Sequence, residues 1–385
     1  MAENDVKILK VELLPQQTDM WCWAASAEMI MKFEGHDVLQ CLQANHEFGR
    51  NDCCNNPTPN ECVQGGWPEF EVWGFSSNKT DSGVALPFDQ LQAQIIANMP
   101  VWFAWWWTGG GGHAMVVRGY STSLQTVYIN DPWPPNAGDT RWISYSDWVE
   151  KSGDHTHAKD FYNIKYAAAG ASEEKPAMKP GSSITPPTGY RDAETAAREA
   201  LKKFPLLVTQ DNAKEMGFDS FPVDPANLSL GPPLPIFYIR HDALQGHSVG
   251  DDIRKLLNEG EELMFPVIKD GNAVSSVVVA KQEGAWRFRS LGRRNLVRDI
   301  VEVRDRLVRG SGKDPSDYFI VRIPSMYQIF IGHYEKKEKL ILTHIHDNPR
   351  FSFAAQSMQP AEQVIEAILP RAKEGRYGIP EKRRS

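Results

Sequence analysis

Residues 170–189 read GASEEKPAMKPGSSITPPTG. The stretch is rich in Pro, Gly and Ser and poor in large apolar side chains. It cannot bury a core and reads as a linker. This one segment decides the organisation of the chain. The 385 residues are expected to form an N-terminal domain over 1–168, a linker over 169–189 and a second domain over 190–385. Each domain is then of ordinary size. No internal repeat relates the two halves, so each needs its own reading.

Composition narrows the class. A 41% apolar and 24% charged chain is that of a soluble globular protein. No run approaches the roughly 20 apolar residues of a membrane span. The N-terminus, MAENDVKILKVELLPQ, lacks the apolar stretch and cleavage site of a secretory signal. Net charge is −7 and no long basic run precedes the short KRRS tail, which argues against nucleic acid as a partner.

The first half opens with an extended piece, VKILKVELLP. A helix over about 21–34 follows and stops at Gly35. Glu28 and Lys32, at i and i+4, are expected to mark its solvent face, with Ser26, Met29, Ile30 and Phe33 opposite. Residues 41–66 read as loop. FDQLQAQIIANM, 88–99, is helical and ends at Pro100. Strands are expected at 101–107, 113–120, 126–131 and 161–166. Helices first and antiparallel strands afterwards give an α+β domain.

One stretch of that first helix carries chemistry. In QQTDMWCWAASAEM, 16–29, a cysteine sits between two tryptophans at the helix start. A thiol attacks a carbonyl only as thiolate, which a helix N-terminus and a nearby imidazolium both favour. The histidine with the best local context is His113, after four glycines and at the start of a strand in TGGGGHAMVVRGY. Such glycines let a backbone pass close to another group and fit a loop at the rim of a cleft. The next strand ends in Asn130-Asp131-Pro132, and a hairpin would bring Asp131 to the ring, where it can fix the tautomer. The side-chain amide of Gln16, with the Cys22 backbone N–H, would hold an oxyanion. Gln17 competes with Gln16, and Asn130 with Asp131. Asp19 is expected to cap the helix rather than oppose the thiolate. Taken singly, Cys22 is a buried helix cysteine, His113 a strand-end histidine and Asp131 a turn residue before proline; it is their order that points to a nucleophilic site. Most of Trp21, Trp23, Trp102, Trp105, Trp106, Trp107 and Trp133 should be core, with one or two walling a substrate groove.

Gln16, the segment Cys22-Trp23-Ala24-Ala25, the Gly-Gly-His113 start and Asn130-Asp131-Pro132 together resemble a papain-like cysteine peptidase. More narrowly they resemble the bacterial C39-like and AvrRpt2-type families, which order Gln, Cys, His, Asp with a short interval between the last two. The resemblance covers about 1–168. It implies a papain-like domain, with the cysteine helix packed on an antiparallel sheet. It further implies a catalytic set in which Cys22 is nucleophile, His113 base, Asp131 orienting acid and Gln16 oxyanion donor. A protein or peptide substrate follows, with no cofactor and no metal. Two rivals accompany it: acyl transfer to an amine, as in transglutaminase-like folds, and an inactive papain-fold binding or effector module.

Cys41, Cys53, Cys54 and Cys62 lie in CLQANHEFGRNDCCNNPTPNEC. A vicinal pair suits tetrahedral zinc poorly. A direct Cys53–Cys54 bond is strained, so the expected scheme joins Cys41 and Cys62 separately to the central pair. The C39-like relatives often carry a similar loop. Bridges imply an oxidising setting, which conflicts with the missing signal; export without a cleaved signal and a cytosolic protein with reduced thiols both reconcile the two.

The second half is expected to be a second α+β domain with an antiparallel sheet. Helices are read at DAETAAREALKKF, GDDIRKLLNEGE, about 294–309 and about 359–373. Strands flank the hairpin signal Asp270-Gly271-Asn272 and recur in WRFRSLG, DYFIVRI, YQIFIG and KLILTHI. His344 and His346 share a face by period two, but a solvated strand end outweighs a metal pair without a third ligand. This half is compatible with a module that contacts substrate, a partner or the cleft itself, and equally with a spacer.

Overall fold

The computed structural model describes residues 5–166, 190–335 and 339–374. The expected linker and the basic tail lie outside them. Among the described residues the chain forms two compact units, one from 5–106 and 111–166, the other from 107–110, 190–335 and 339–374. Both mix helices with mostly antiparallel strands, an α+β architecture. No helix among the described residues is long and apolar enough to cross a membrane.

The first unit runs β1 (Val6–Ile8), α1 (Cys22–Phe33), α2 (Gln40–Glu47), β2 (Phe75–Lys79), α3 (Phe88–Ile96), β3 (Val101–Trp107), β4 (Gly112–Ser121), β5 (Thr126–Asp131), β6 (Asp139–Ser144), α4 (Tyr145–Val149), β7 (Glu150–Lys151) and β8 (His155–Tyr166). Its sheet follows the order β2, β8, β3, β4, β5, β6, and β1 takes over the β3 edge of β4 near residues 119–121. Each ladder with a stated register is antiparallel. Every residue of β4 and β5 is buried, as expected of strands covered on both faces.

Helix α1 packs against β4. Its first ten residues, Cys22 to Met31, are all buried, so it is a central helix and not a surface one. The expected solvent face is therefore corrected. Glu28 is buried, and Lys32 turns outward to pair with Glu12 at 3.0 Å. The N-cap residue is Trp21, whose own side chain makes no cap hydrogen bond. Residues 41–66, expected as loop, begin with the short helix α2. The cysteine segment after it is closed by two bridges, Cys41–Cys54 and Cys53–Cys62, in keeping with the expected scheme.

The second unit runs α5 (Tyr190–Lys202), α6 (Phe204–Leu207), β9 (Ser229–Leu230), β10 (Leu234–Ile239), α7 (His241–Gly246), β11 (Leu257–Lys269), β12 (Asn272–Gln282), β13 (Ala285–Gly292), α8 (Arg294–Ser311), β14 (Phe319–Ile323), β15 (Gln328–Tyr334), β16 (Leu340–His344), β17 (Met358–Pro360) and α9 (Ala361–Lys373). Its strands follow the order β13, β12, β11, β10, β14, β15, β16, β17, with one parallel pair, β10–β14. α5 and α8 pack on β12. The helix expected over 250–261 is absent: a single 3₁₀ turn, Ile253–Leu256, leads into β11, where Leu257, Asn258 and Glu259 pair with β10. Gly260 sits there because a Cβ would meet the Tyr238 ring at 2.6 Å. His344 and His346 are not a solvated pair. His344 is buried against Phe330 and Phe353, and His346 bonds Asp299 at 3.1 Å.

Candidate active site

Cys22 is the first residue of α1 and the free cysteine among the described residues. Backbone N–H groups of a first helical turn have no intrahelical acceptor and point toward this end. The flanking indoles are structural. Trp21 Nε1 donates to the Cys62 carbonyl at 2.8 Å and Trp23 Nε1 to the Gln64 carbonyl at 3.3 Å. Both therefore hold the bridged loop against the start of the helix. Trp21, Trp23 and Trp102 are almost wholly buried, whereas Trp106 and Trp133 are half-buried.

His113 is the second residue of β4. Gly109, Gly110 and Gly111 before it all adopt positive φ, and a Cβ on Gly112 would meet the Trp105 carbonyl at 2.6 Å. The glycines thus turn the chain sharply into the strand. The β4–β5 register sets Val116 against Asn130. One residue further, Asp131 falls on the face that carries His113. The two side chains meet, with His113 Nε2 at 2.7 Å from Asp131 Oδ1, both buried. The Cys22 side chain also acts electrostatically on the ring. Nε2 is committed to Asp131. Burial alone would depress the imidazole. The charge and hydrogen bond of Asp131, then the hydrogen bond and charge of Cys22, outweigh it and hold His113 at about 9 against an ordinary 6.5.

Asp131 has further donors. Arg141 Nη1, from β6, donates to Oδ2 at 2.5 Å, and the Trp133 backbone N–H donates to Oδ1 at 3.1 Å. Asn130 points to the other face, where Oδ1 accepts from Arg118 Nε at 2.5 Å and Nδ2 donates to the Val11 carbonyl at 3.1 Å. Strand alternation therefore assigns the imidazole to Asp131. Gln16 is fully buried while Gln17 is exposed. One N–H of its Nε2 donates to the Thr18 carbonyl at 2.8 Å, and a side-chain amide has a second N–H to offer. Arg141 and the surroundings of Gln16 had no sequence signal, because β6 and α2 were themselves not foreseen.

Residues 3–150 match the family model of papain-like cysteine protease AvrRpt2. The N-terminal region is thus similar to a papain-like cysteine protease, and of the two family types its motifs resemble, the match names AvrRpt2. Cys22, His113, Asp131 and Gln16 all lie inside the matched span. All of β8 lies outside it, as does the second unit apart from residues 107–110. A comparison with curated proteins finds no match.

Proposed function

We propose that residues 5–166 form a thiol peptidase centre that hydrolyses peptide bonds in protein substrates. The observation that carries this is the buried His113 ring, held by Asp131 at 2.7 Å and acted on by the side chain of Cys22 at the start of α1. In the resting pair the proton sits on His113 and the sulfur is nucleophilic. Sulfur adds to the peptide carbonyl, and the negative charge that develops on oxygen is met by a Gln16 N–H and the Cys22 backbone N–H. His113 gives its proton to the departing amine and the C–N bond breaks, leaving a thioester. Water then attacks the thioester and loses a proton to His113, and the acid leaves as the thiolate returns. Asp131 accepts from the ring throughout and keeps it in one tautomer. Residues 190–374 are read as an accessory module.

Cys22 has no exposed surface, so substrate needs the site to open, and a labelling rate reports that opening together with reactivity. The test is alkylation by iodoacetamide and by an E-64-type epoxide in wild type, Cys22→Ala and His113→Ala, followed by cleavage profiling on a peptide library. Selective label on Cys22, and cleavage that falls at least about 10³-fold in both variants, is expected. Wild type that neither labels at Cys22 nor cleaves would defeat the proposal, and an acyl-enzyme that partitions to added amine in preference to water would turn it into acyl transfer.

A further inference from the structure

The segment that carries Gln16 is held along both backbone edges. On one edge the Gln16 N–H donates to the Pro132 carbonyl at 2.9 Å, and the Gln16 carbonyl accepts from the Asn136 N–H at 3.1 Å. On the other edge the partner is one side chain. Gln40 Nε2 donates to the Pro15 carbonyl at 3.0 Å, and Gln40 Oε1 accepts from the Gln17 N–H at 3.0 Å. In an extended segment the groups of residue 16 point one way, and the carbonyl of 15 and the N–H of 17 point the other. The Gln40 amide therefore takes the place of a neighbouring strand at the residue that would donate to the oxyanion.

Gln40 is built to do this. Its side chain is 2% exposed, and it opens α2, next to Cys41 and its bridge to Cys54. The amide has its oxygen filled by Gln17 and one of its N–H groups by Pro15, and the two bonds together fix its orientation. A buried amide that bonds the same segment through both its oxygen and its nitrogen is a rigid support for what it holds.

We propose that Gln40 is a positioning residue for the oxyanion donor Gln16, an inference that rests on the peptidase reading above. It touches no substrate. It sets the backbone of residues 15–17, and so the direction in which the Gln16 amide points.

Two variants separate this from a general role in stability. Gln40→Met keeps the length and removes both hydrogen bonds. Gln40→Asn keeps the amide but is one methylene too short to span both partners, and it carries the test if Gln40→Met does not fold. Three readouts are compared with wild type and Gln16→Ala: alkylation of Cys22 by iodoacetamide, kcat and KM on the peptide found by profiling, and affinity for the aldehyde of that peptide. Alkylation forms no oxyanion, whereas hydrolysis and aldehyde addition do. Expected are alkylation within about threefold of wild type, kcat lower by about ten- to a hundredfold, little change in KM, and aldehyde affinity falling with kcat. Gln16→Ala should lose about 10²–10³ in kcat. Hydrolysis and aldehyde affinity that stay within about twofold of wild type would overturn the inference, as would alkylation that falls in step with kcat. If Gln16→Ala itself leaves hydrolysis unchanged, it is the assignment of the oxyanion donor that fails, and with it any role for its support.

Discussion

Replacing Asp131 by Asn tests the electrostatics of the site directly. His113 stands at about 9 against 6.5, which corresponds to roughly 3 kcal/mol in favour of the charged ring at about 1.4 kcal/mol per unit. Burial, the largest influence on the ring, acts in the opposite direction, and Asp131 is the strongest of the groups that overcome it. Without the carboxylate charge the ring should therefore fall toward or below 6.5. Asn also has one oxygen where Asp131 has two, so it cannot accept from both His113 and Arg141. The sign of the stability change follows. A folded value above the unfolded one adds stability that is complete below pH 6.5 and disappears as pH rises through about 9. In Asp131→Asn that downward slope should vanish. The variant also leaves the Arg141 guanidinium buried without its carboxylate, at a cost of roughly 3–5 kcal/mol. That cost is constant over this pH range, so slopes, not absolute stabilities, are to be compared. The assay is an NMR titration of the His113 ring between pH 5 and 10, together with the alkaline limb of kcat/KM. Expected are a wild-type midpoint near 9, a fall of two or more units in the variant, and a loss in kcat of about 10²–10⁴-fold. A wild-type ring that titrates near 6.5, or a midpoint that Asp131→Asn does not move, would refute the reasoning.

Arg141→Met should move the same midpoint the other way, upward, because the cation on Asp131 Oδ2 no longer competes for the carboxylate; the variant should also be about 3 kcal/mol less stable in urea. Cys41→Ser with Cys54→Ser opens a bridge of sequence separation 13, and the Cys53–Cys62 bridge spans 9. Each removal should lower unfolding stability by about 3 kcal/mol on a loop-entropy basis, read as a drop in urea midpoint that a reductant no longer increases in the variant lacking both bridges. In the second unit, burial holds His344 down at about 4. Its contribution is present above pH 6.5 and lost as pH falls toward 4, up to roughly 3 kcal/mol; His344→Leu should flatten that acid limb in denaturation curves at pH 4 to 7.

The order of the candidate site residues was legible because its geometry is local. Asp131 reaches His113 through one hairpin, and strand limits read from apolar content, 101–107 and 126–131, agree with β3 and β5. What escaped depends on partners distant in sequence. Glu28 and Lys32 have the spacing of a surface pair, but the first ten residues of α1 are buried, Glu28 among them, and only Lys32 turns outward. α2 is short and polar, and it is held by a disulfide and by side-chain amides that no periodicity reveals. In the second unit the charged run 250–261 reads as helix. Its end from Leu257 is strand because β10 offers a ladder, and Glu262 just beyond it is accommodated by the Tyr238 hydroxyl at 2.6 Å. Tertiary partners overrode local propensity in each case.

The end of β5 shows why the site needs both sides of a strand. Asp131 faces the imidazole and Arg141, and its neighbour Asn130 faces away. On that far side Asn130 binds the Val11 carbonyl and accepts from Arg118, which in turn donates to the Leu9 carbonyl. Those contacts secure residues 9–11, the lead into the Gln16 segment, while the Pro132 carbonyl accepts from Gln16 itself. Three consecutive residues, 130 to 132, thus fix the incoming chain and the acid partner of His113 together. A one-residue slip of β5 would exchange the two faces, leaving an amide at the imidazole and a carboxylate at the Val11 carbonyl, where like partial charges repel. The register of this hairpin is therefore enforced by the polar groups at its end as well as by its apolar core, and the groups that enforce it are those that hold Gln16 and His113 in place.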